Sequence, residues 1–249
     1  MNVCIFDTET TSLEKPFCYN IGYVVADTET RAILVKREFV VGQIWHNSEL
    51  FTTAYYANKR PIYVNAMRAR KVFMNKFGYI CQQMLRDFRA LNVERAFAYN
   101  SSFDEKVFNF NCDWFKCINP FDVVPISDIR GFVHHFMMND EFKRWAEEHN
   151  AFTESGNYST TAETITQYIR NDSDFVEDHT ALSDTLIETE ILFHCLDLGA
   201  DINGDYIALK SIPRAVEKVF TIVAKNGKKY TFKGESAVYY KTKGVFKIR

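Results

Sequence analysis

The order of its apolar runs constrains what this chain can fold into more than any other feature. Asn2 to Phe6, Asn20 to Ala26 and Ala32 to Val41 are short, apolar and rich in β-branched residues, with no helical pattern between them, and they read as three strands. From Ser48 to Leu91 the spacing changes. Val72, Phe73, Phe77, Ile80, Cys81, Met84, Leu85 and Phe88 recur at three- and four-residue steps and predict a helix. Arg95 to Tyr99 predicts a strand entering a polar turn and a helix over Asn100 to Phe110, and Phe121 to Ile126 predicts another strand. Later helices are expected over Asp128 to His149, Thr160 to Arg170 and Thr180 to Leu198, with Thr160 and Glu163 forming the capping box of the second. Strands first, then strands alternating with helices, imply an α/β fold with a mixed sheet and helices on both faces.

The end of the chain differs in kind. Residues 214–249 hold ten of the thirty Lys and Arg residues and two of the thirty-two acids, a net of +8, which leaves −10 for residues 1–213. Phe220 to Ala224 and Tyr230 to Lys233 flank Asn226-Gly227, a strong hairpin signal, and Ala237 to Tyr240 and Val245 to Ile248 offer two further strands. The expected division is a main domain over 1–202 and a small basic β appendage over 203–249. A second basic stretch, Leu50 to Arg86, has seven Lys or Arg and no acid. Basic segments flanking an acidic body suit a polyanionic partner; solvated basic faces are the competing reading.

No basic leader with a cleavage site and no apolar run near 20 residues is present, so a cytoplasmic protein with no membrane partner is expected. The six cysteines form no CxxC pair and read as reduced core thiols.

Asp-Thr-Glu-Thr occurs twice, at 7–10 and at 27–30. The second copy links two strands at hairpin distance, where short polar side chains make a turn. The first copy continues an apolar strand, so Asp7 and Glu9 point to one face. Two carboxylates about 4 Å apart repel by roughly 4 kcal/mol at an effective dielectric of 20. A hard divalent cation removes that cost. Asp104, in Asn100-Ser101-Ser102-Phe103-Asp104, stands at a helix start, where compensation of the helix dipole is a sufficient reason for it. Asp184 lies on a helix that is apolar on both sides, so its carboxylate needs a compensating charge. His179 can face the same site only from the loop before that helix.

These three motifs, in this order over residues 3–198, resemble those of the DEDDh 3′-5′ exonucleases, the DnaQ-like branch of the ribonuclease H-like superfamily. The resemblance implies a ribonuclease H-like mixed sheet and a site for two Mg²⁺ or Mn²⁺ ions held by Asp7, Glu9, Asp104 and Asp184. It implies His179 as the general base, suited to that role by an unperturbed pKa near 6.5. Thr8, Thr10, Thr11, Asn100 and Phe103 match substrate-binding positions. Asn100 has a turn-forming role as its equal competitor, and Phe103 a core role. Ser12 stands where many members have glycine.

The activity implied is hydrolysis of terminal phosphodiester bonds at the 3′ end of DNA or RNA, with DNA favoured and nucleoside 5′-monophosphates released. Two alternatives stay open: an oligoribonuclease-like enzyme for short RNA, and a catalytically silent nucleic-acid-binding or scaffold subunit. Nothing in the sequence names a protein partner. The resemblance does not reach the basic tail, where Tyr230, Phe232, Tyr239, Tyr240 and Phe246 could stack bases or simply pack.

Overall fold

The computed structural model describes residues 1–54, 57–214, 218–223, 228–234, 237–240 and 245–248. The three opening runs form a meander: β1 (Asn2–Thr10), β2 (Cys18–Asp27) and β3 (Ile33–Val41), each antiparallel to the next. Short helices α1 (Gly42–Trp45), α2 (Ser48–Phe51) and α3 (Arg60–Arg68) lead to β4 (Phe73–Asn75), which pairs parallel with β3. Helix α4 (Phe77–Ala90), strand β5 (Val93–Ala98), helix α5 (Ser101–Phe115) and strand β6 (Ile126–Asp128) follow, with β5 parallel to β1 and β6 parallel to β5. The result is one mixed six-stranded sheet in the order β4-β3-β2-β1-β5-β6.

Two faces are covered, as the alternation within β1 requires. Cys4 and Phe6 point into an aromatic core with Phe77 and Met84 of α4, Phe108 of α5 and Phe121. Phe6 packs at 5.7 Å from Phe108 and 4.1 Å from Phe121. The other face carries α6 (Ile129–Phe136) and α9 (Ala181–Asp197), with α7 (Asp140–Glu148) and α8 (Ala162–Arg170) outside them. This is a ribonuclease H-like arrangement.

The structure revises four expectations. Val72 and Phe73 leave the helical series, because Phe73–Asn75 extends the sheet as an edge strand. Pro120–Val123 is a 3₁₀ turn, and only Ile126–Asp128 pairs as a strand. The helix expected over Asp128 to His149 is two, since Asn139 accepts from the backbone N–H groups of Glu141 and Phe142 and starts a new one. The cap of α8 is Thr161, whose hydroxyl accepts from Thr164 N–H, while Glu163 accepts from Glu177 N–H instead of closing a capping box.

The chain divides into two compact units, residues 1–151 with 159–210 and residues 152–158 with 211–249. In the second, β7 (Lys218–Val223) pairs antiparallel with β8 (Lys229–Gly234), and β9 (Ala237–Tyr240) with β10 (Val245–Ile248). Tyr158 bridges Phe152 and Ile212. The Asn226-Gly227 turn lies outside the described residues. All six cysteines are free, and among the described residues no helix is long and apolar enough to cross a membrane.

Candidate active site

The pleat of β1 sorts the first Asp-Thr-Glu-Thr by face. Asp7 and Glu9 look toward α9, and oxygens of both, with one of Asp184, lie within 4.8 Å of one another. Thr8 looks the other way and donates from its hydroxyl to Asp104 Oδ1 at 2.6 Å. The threonine between the paired acids therefore holds the third carboxylate. Asp104 sits in the first turn of α5 and is 2% exposed.

Helix α9 reaches β1 because of two residues on β2. Gly22 pairs with Asp7, and a Cβ there would stand 2.3 Å from Ala181 C and Leu182 N. Any other residue would lift the start of α9 off the sheet. Asn20 pairs with Glu9, and its Oδ1 accepts from Ala181 N–H at 2.9 Å and from the Tyr63 hydroxyl at 3.0 Å. It caps α9, whose own N-cap residue Thr180 makes no side-chain cap bond.

His179 precedes the helix, with a left-handed backbone (φ 50°) that is uncommon for a non-glycine residue. Its Nδ1 lies 3.6 Å from Glu177 Oε2, and Glu163, Glu177 and His179 place ligating atoms within 4.8 Å of one another. Lys59, from the acid-free basic stretch, donates from its ammonium to the Asp178 carbonyl.

Electrostatically the site is an excess of carboxylate. Burial, then the charges of Asp104 and Glu188, hold Asp7 well above the usual range. Burial, then Asp184, pushes Glu9 up to about 8, against the Tyr19 hydroxyl and Lys59. Burial lifts Asp104 to about 7 against its bonds from Thr8. Burial with Glu177 lifts Asp184 to about 7. Burial and Lys59 lower His179, which keeps its imidazole neutral and able to accept a proton.

Three buried oxygens here, Glu177 Oε1, Asp184 Oδ1 and Glu188 Oε2, have no hydrogen-bond partner among the described residues. A buried acceptor left unpaired is costly. Hard oxygens, crowded like charge and unused acceptors together fit a divalent cation.

The structure thus brings Asp7, Glu9, Asp104, Asp184 and His179 to one end of the sheet. It adds Glu188, 4% exposed and one turn beyond Asp184, whose carboxylate feels Asp104 and Asp184. Its i, i+4 spacing from Asp184 puts it on the same face of α9. Thr10 and Thr11 line a cavity of about 300 Å³ with Thr8, Glu9, Ser12, Leu13 and Phe103. That lies at the lower end of the roughly 300–1,000 Å³ of ligand pockets. Ser12, in place of glycine, closes a turn with Lys15, accepting from its N–H and donating to its carbonyl. Asn100 takes a left-handed backbone (φ 61°) with no side-chain cap bond, and its N–H goes to Asp128 Oδ1 at 2.9 Å.

No family profile matches the sequence, and no curated protein matches it. Solved structures do match. The nuclease domain of 3′hExo, described as a DEDDh family member bound to rAMP, aligns with a TM-score of 0.55 at 14% identity, over 85% of this chain and 97% of that one. A 3′-exonuclease in 3′-end specific recognition of a histone mRNA stem-loop aligns at 0.58 and 13%, over 93% and 90%. A full-length 3′-exonuclease aligns at 0.54 and 15%, over 93% and 66%. At these identities the likeness is one of fold: this chain has the fold of those 3′-exonuclease domains.

Proposed function

We propose that this chain is a DEDDh 3′-5′ exonuclease that removes nucleoside 5′-monophosphates from the 3′ end of a nucleic acid. The single observation that carries the reading is the meeting of Asp7, Glu9 and Asp184 within 4.8 Å, with oxygens left unpaired beside them. The fold shared with 3′-exonuclease domains supports it.

In this reading Asp7, Glu9, Asp104 and Asp184 hold two Mg²⁺ or Mn²⁺ ions. Bound there, the ions would lower the pKa of water and neutralise charge on the phosphoryl oxygens. The chain's own residues do the rest. His179, neutral and on the rim, takes the proton of the attacking water, and Glu177 at 3.6 Å from Nδ1 orients the ring. Thr8 fixes Asp104, so its hydroxyl is committed to the metal set rather than to substrate. Thr10, Thr11 and Phe103 wall the cavity for the terminal nucleotide. Lys59 offers a cation beside the acids, where a phosphate backbone would arrive.

DNA is the substrate of the first reading. RNA is the second reading, favoured by the rAMP and the mRNA stem-loop named for two structural neighbours. A time course on 5′-labelled single strands of DNA and RNA of one sequence, with Mg²⁺ or Mn²⁺, tests both. The reading predicts a ladder that shortens from the 3′ end, and the faster sugar names the substrate. Internal cuts, or intact strands with both sugars, would sink it.

A further inference from the structure

Outside the acidic site, three cysteines meet. Cys81 lies on α4, Cys112 near the end of α5 and Cys117 just past it, and their three sulfurs lie within 4.8 Å of one another. Cys112 is eight residues along α5 from Asp104, about 12 Å at 1.5 Å per residue, so this cluster is separate from the carboxylates. The local fold puts the sulfurs there. Phe77 and Phe115 stack at 5.6 Å and hold α4 against α5. Lys116 takes a left-handed backbone (φ 53°) and turns the chain back, so that Cys117 N–H donates to the Cys112 carbonyl at 3.1 Å. Gly78 makes room for the third thiol: a Cβ there would stand 3.2 Å from Cys117 Cβ.

We propose that Cys81, Cys112 and Cys117 form a thiolate site for one soft d¹⁰ divalent cation, with Zn²⁺ as its probe. With Zn–S near 2.3 Å, three ligating sulfurs sit about 3.8–4.0 Å apart, so closing from within 4.8 Å takes less than about 1 Å. A disulfide needs one pair to reach about 2.05 Å and strands the third thiol. Cys81 and Cys112 are 1% and 6% exposed, whereas Cys117 is half-buried, which gives the cation an entry and leaves a fourth position for water. The C-terminal end of the α5 helix dipole also favours positive charge. On binding, the three S–H groups lose their protons to solvent and three metal–sulfur bonds form, with no change of oxidation state.

The test uses the reduced, metal-free full chain with excess Mg²⁺ to occupy the carboxylates. Titration with Co²⁺ should give a sulfur-to-cobalt charge-transfer band in the near ultraviolet that saturates at one equivalent and is displaced by Zn²⁺. Cys117→Ser, at the rim where folding is safest, should lose the band or weaken binding at least roughly tenfold, with unchanged circular dichroism. Asp184→Asn should keep it, which separates this site from the proposed active site. No charge-transfer band in the wild type, or the same band in Cys117→Ser, would overturn the proposal. So would loss of two free thiols under mild peroxide in a chain whose reduced form takes up no Co²⁺.

Discussion

The two copies of Asp-Thr-Glu-Thr share every residue but place their carboxylates in opposite surroundings. In the first, Thr8 and Glu9 are buried, and burial raises the pKa of both acids. In the second, Asp27 caps a turn by accepting from Glu29 and Thr30 N–H at 2.8 Å each, bonds that pull its pKa down. Glu29 is 84% exposed and pairs with the N-terminal ammonium at 3.4 Å. One copy lies inside a strand with α9 above it; the other ends a strand and meets solvent. Identical carboxylates become a high-energy cluster or a solvated turn according to what the fold brings against them.

Removing an acid from the first copy has the largest expected effect. Asp7→Asn or Glu9→Gln should cut nucleotide release by roughly 10³-fold or more, since a carboxylate of the metal set is asked for several kcal/mol of transition-state stabilisation. Steady-state rates of release measure it. A fall of less than tenfold would leave the first copy no more catalytic than the second.

His179→Ala should cost roughly 10²- to 10⁴-fold in turnover while Mn²⁺ binding, followed by calorimetry, stays within about threefold. Lost Mn²⁺ binding would make His179 a ligand instead. Thr8→Val keeps shape and removes the bond to Asp104. An outer partner of a metal ligand is worth about 10- to 100-fold in affinity or activity. The same change in the second copy, Thr28→Val, removes a bond to the Met1 carbonyl and should leave both unaltered.

Acidity separates the copies in opposite directions. Glu9 near 8 and Asp104, Asp184 and Glu177 near 7 hold protons in the metal-free native state, between about pH 4 and 8, that the unfolded chain has already given up near pH 4. The native state then binds more protons than the unfolded one, and stability falls as pH rises through that window. Melting in EDTA should therefore drop from about pH 6 to about pH 8.5, and Mg²⁺ should restore it at the higher pH. Asp27 has the contrary sign, since its lowered pKa stabilises above the ordinary carboxylate range and is lost in acid. Asp27→Asn and Glu29→Gln should change catalysis by less than about twofold, the smallest effect expected.

Much of this contrast is legible in the residues themselves. Asp7, Glu9, Asp104, His179 and Asp184 stand out in the sequence because their three motifs, in order, resemble those of the DEDDh exonucleases, while the meander of β1 to β3 follows from the strand pattern. What escapes is set by contacts distant in sequence. Glu188 reads as one more polar residue on α9 until the sheet buries it beside Asp104. Asn20 and Gly22 sit in an ordinary strand, and only the approach of Ala181 gives them their roles. Lys59 is one of seven basic residues in its stretch, and nothing local marks it as the one beside the acids. The break at Asn139 and the strand at Phe73 each reflect a local pattern overruled, by a cap in one case and by sheet pairing in the other.

The most direct test of the central claim is nucleotide release from a 5′-labelled single strand by one preparation, stripped with EDTA and then given Mg²⁺. The account predicts no release in EDTA and, after Mg²⁺ is restored, stepwise shortening from the 3′ end with nucleoside 5′-monophosphate as product. Release that persists in EDTA, or none when Mg²⁺ or Mn²⁺ returns, would contradict it.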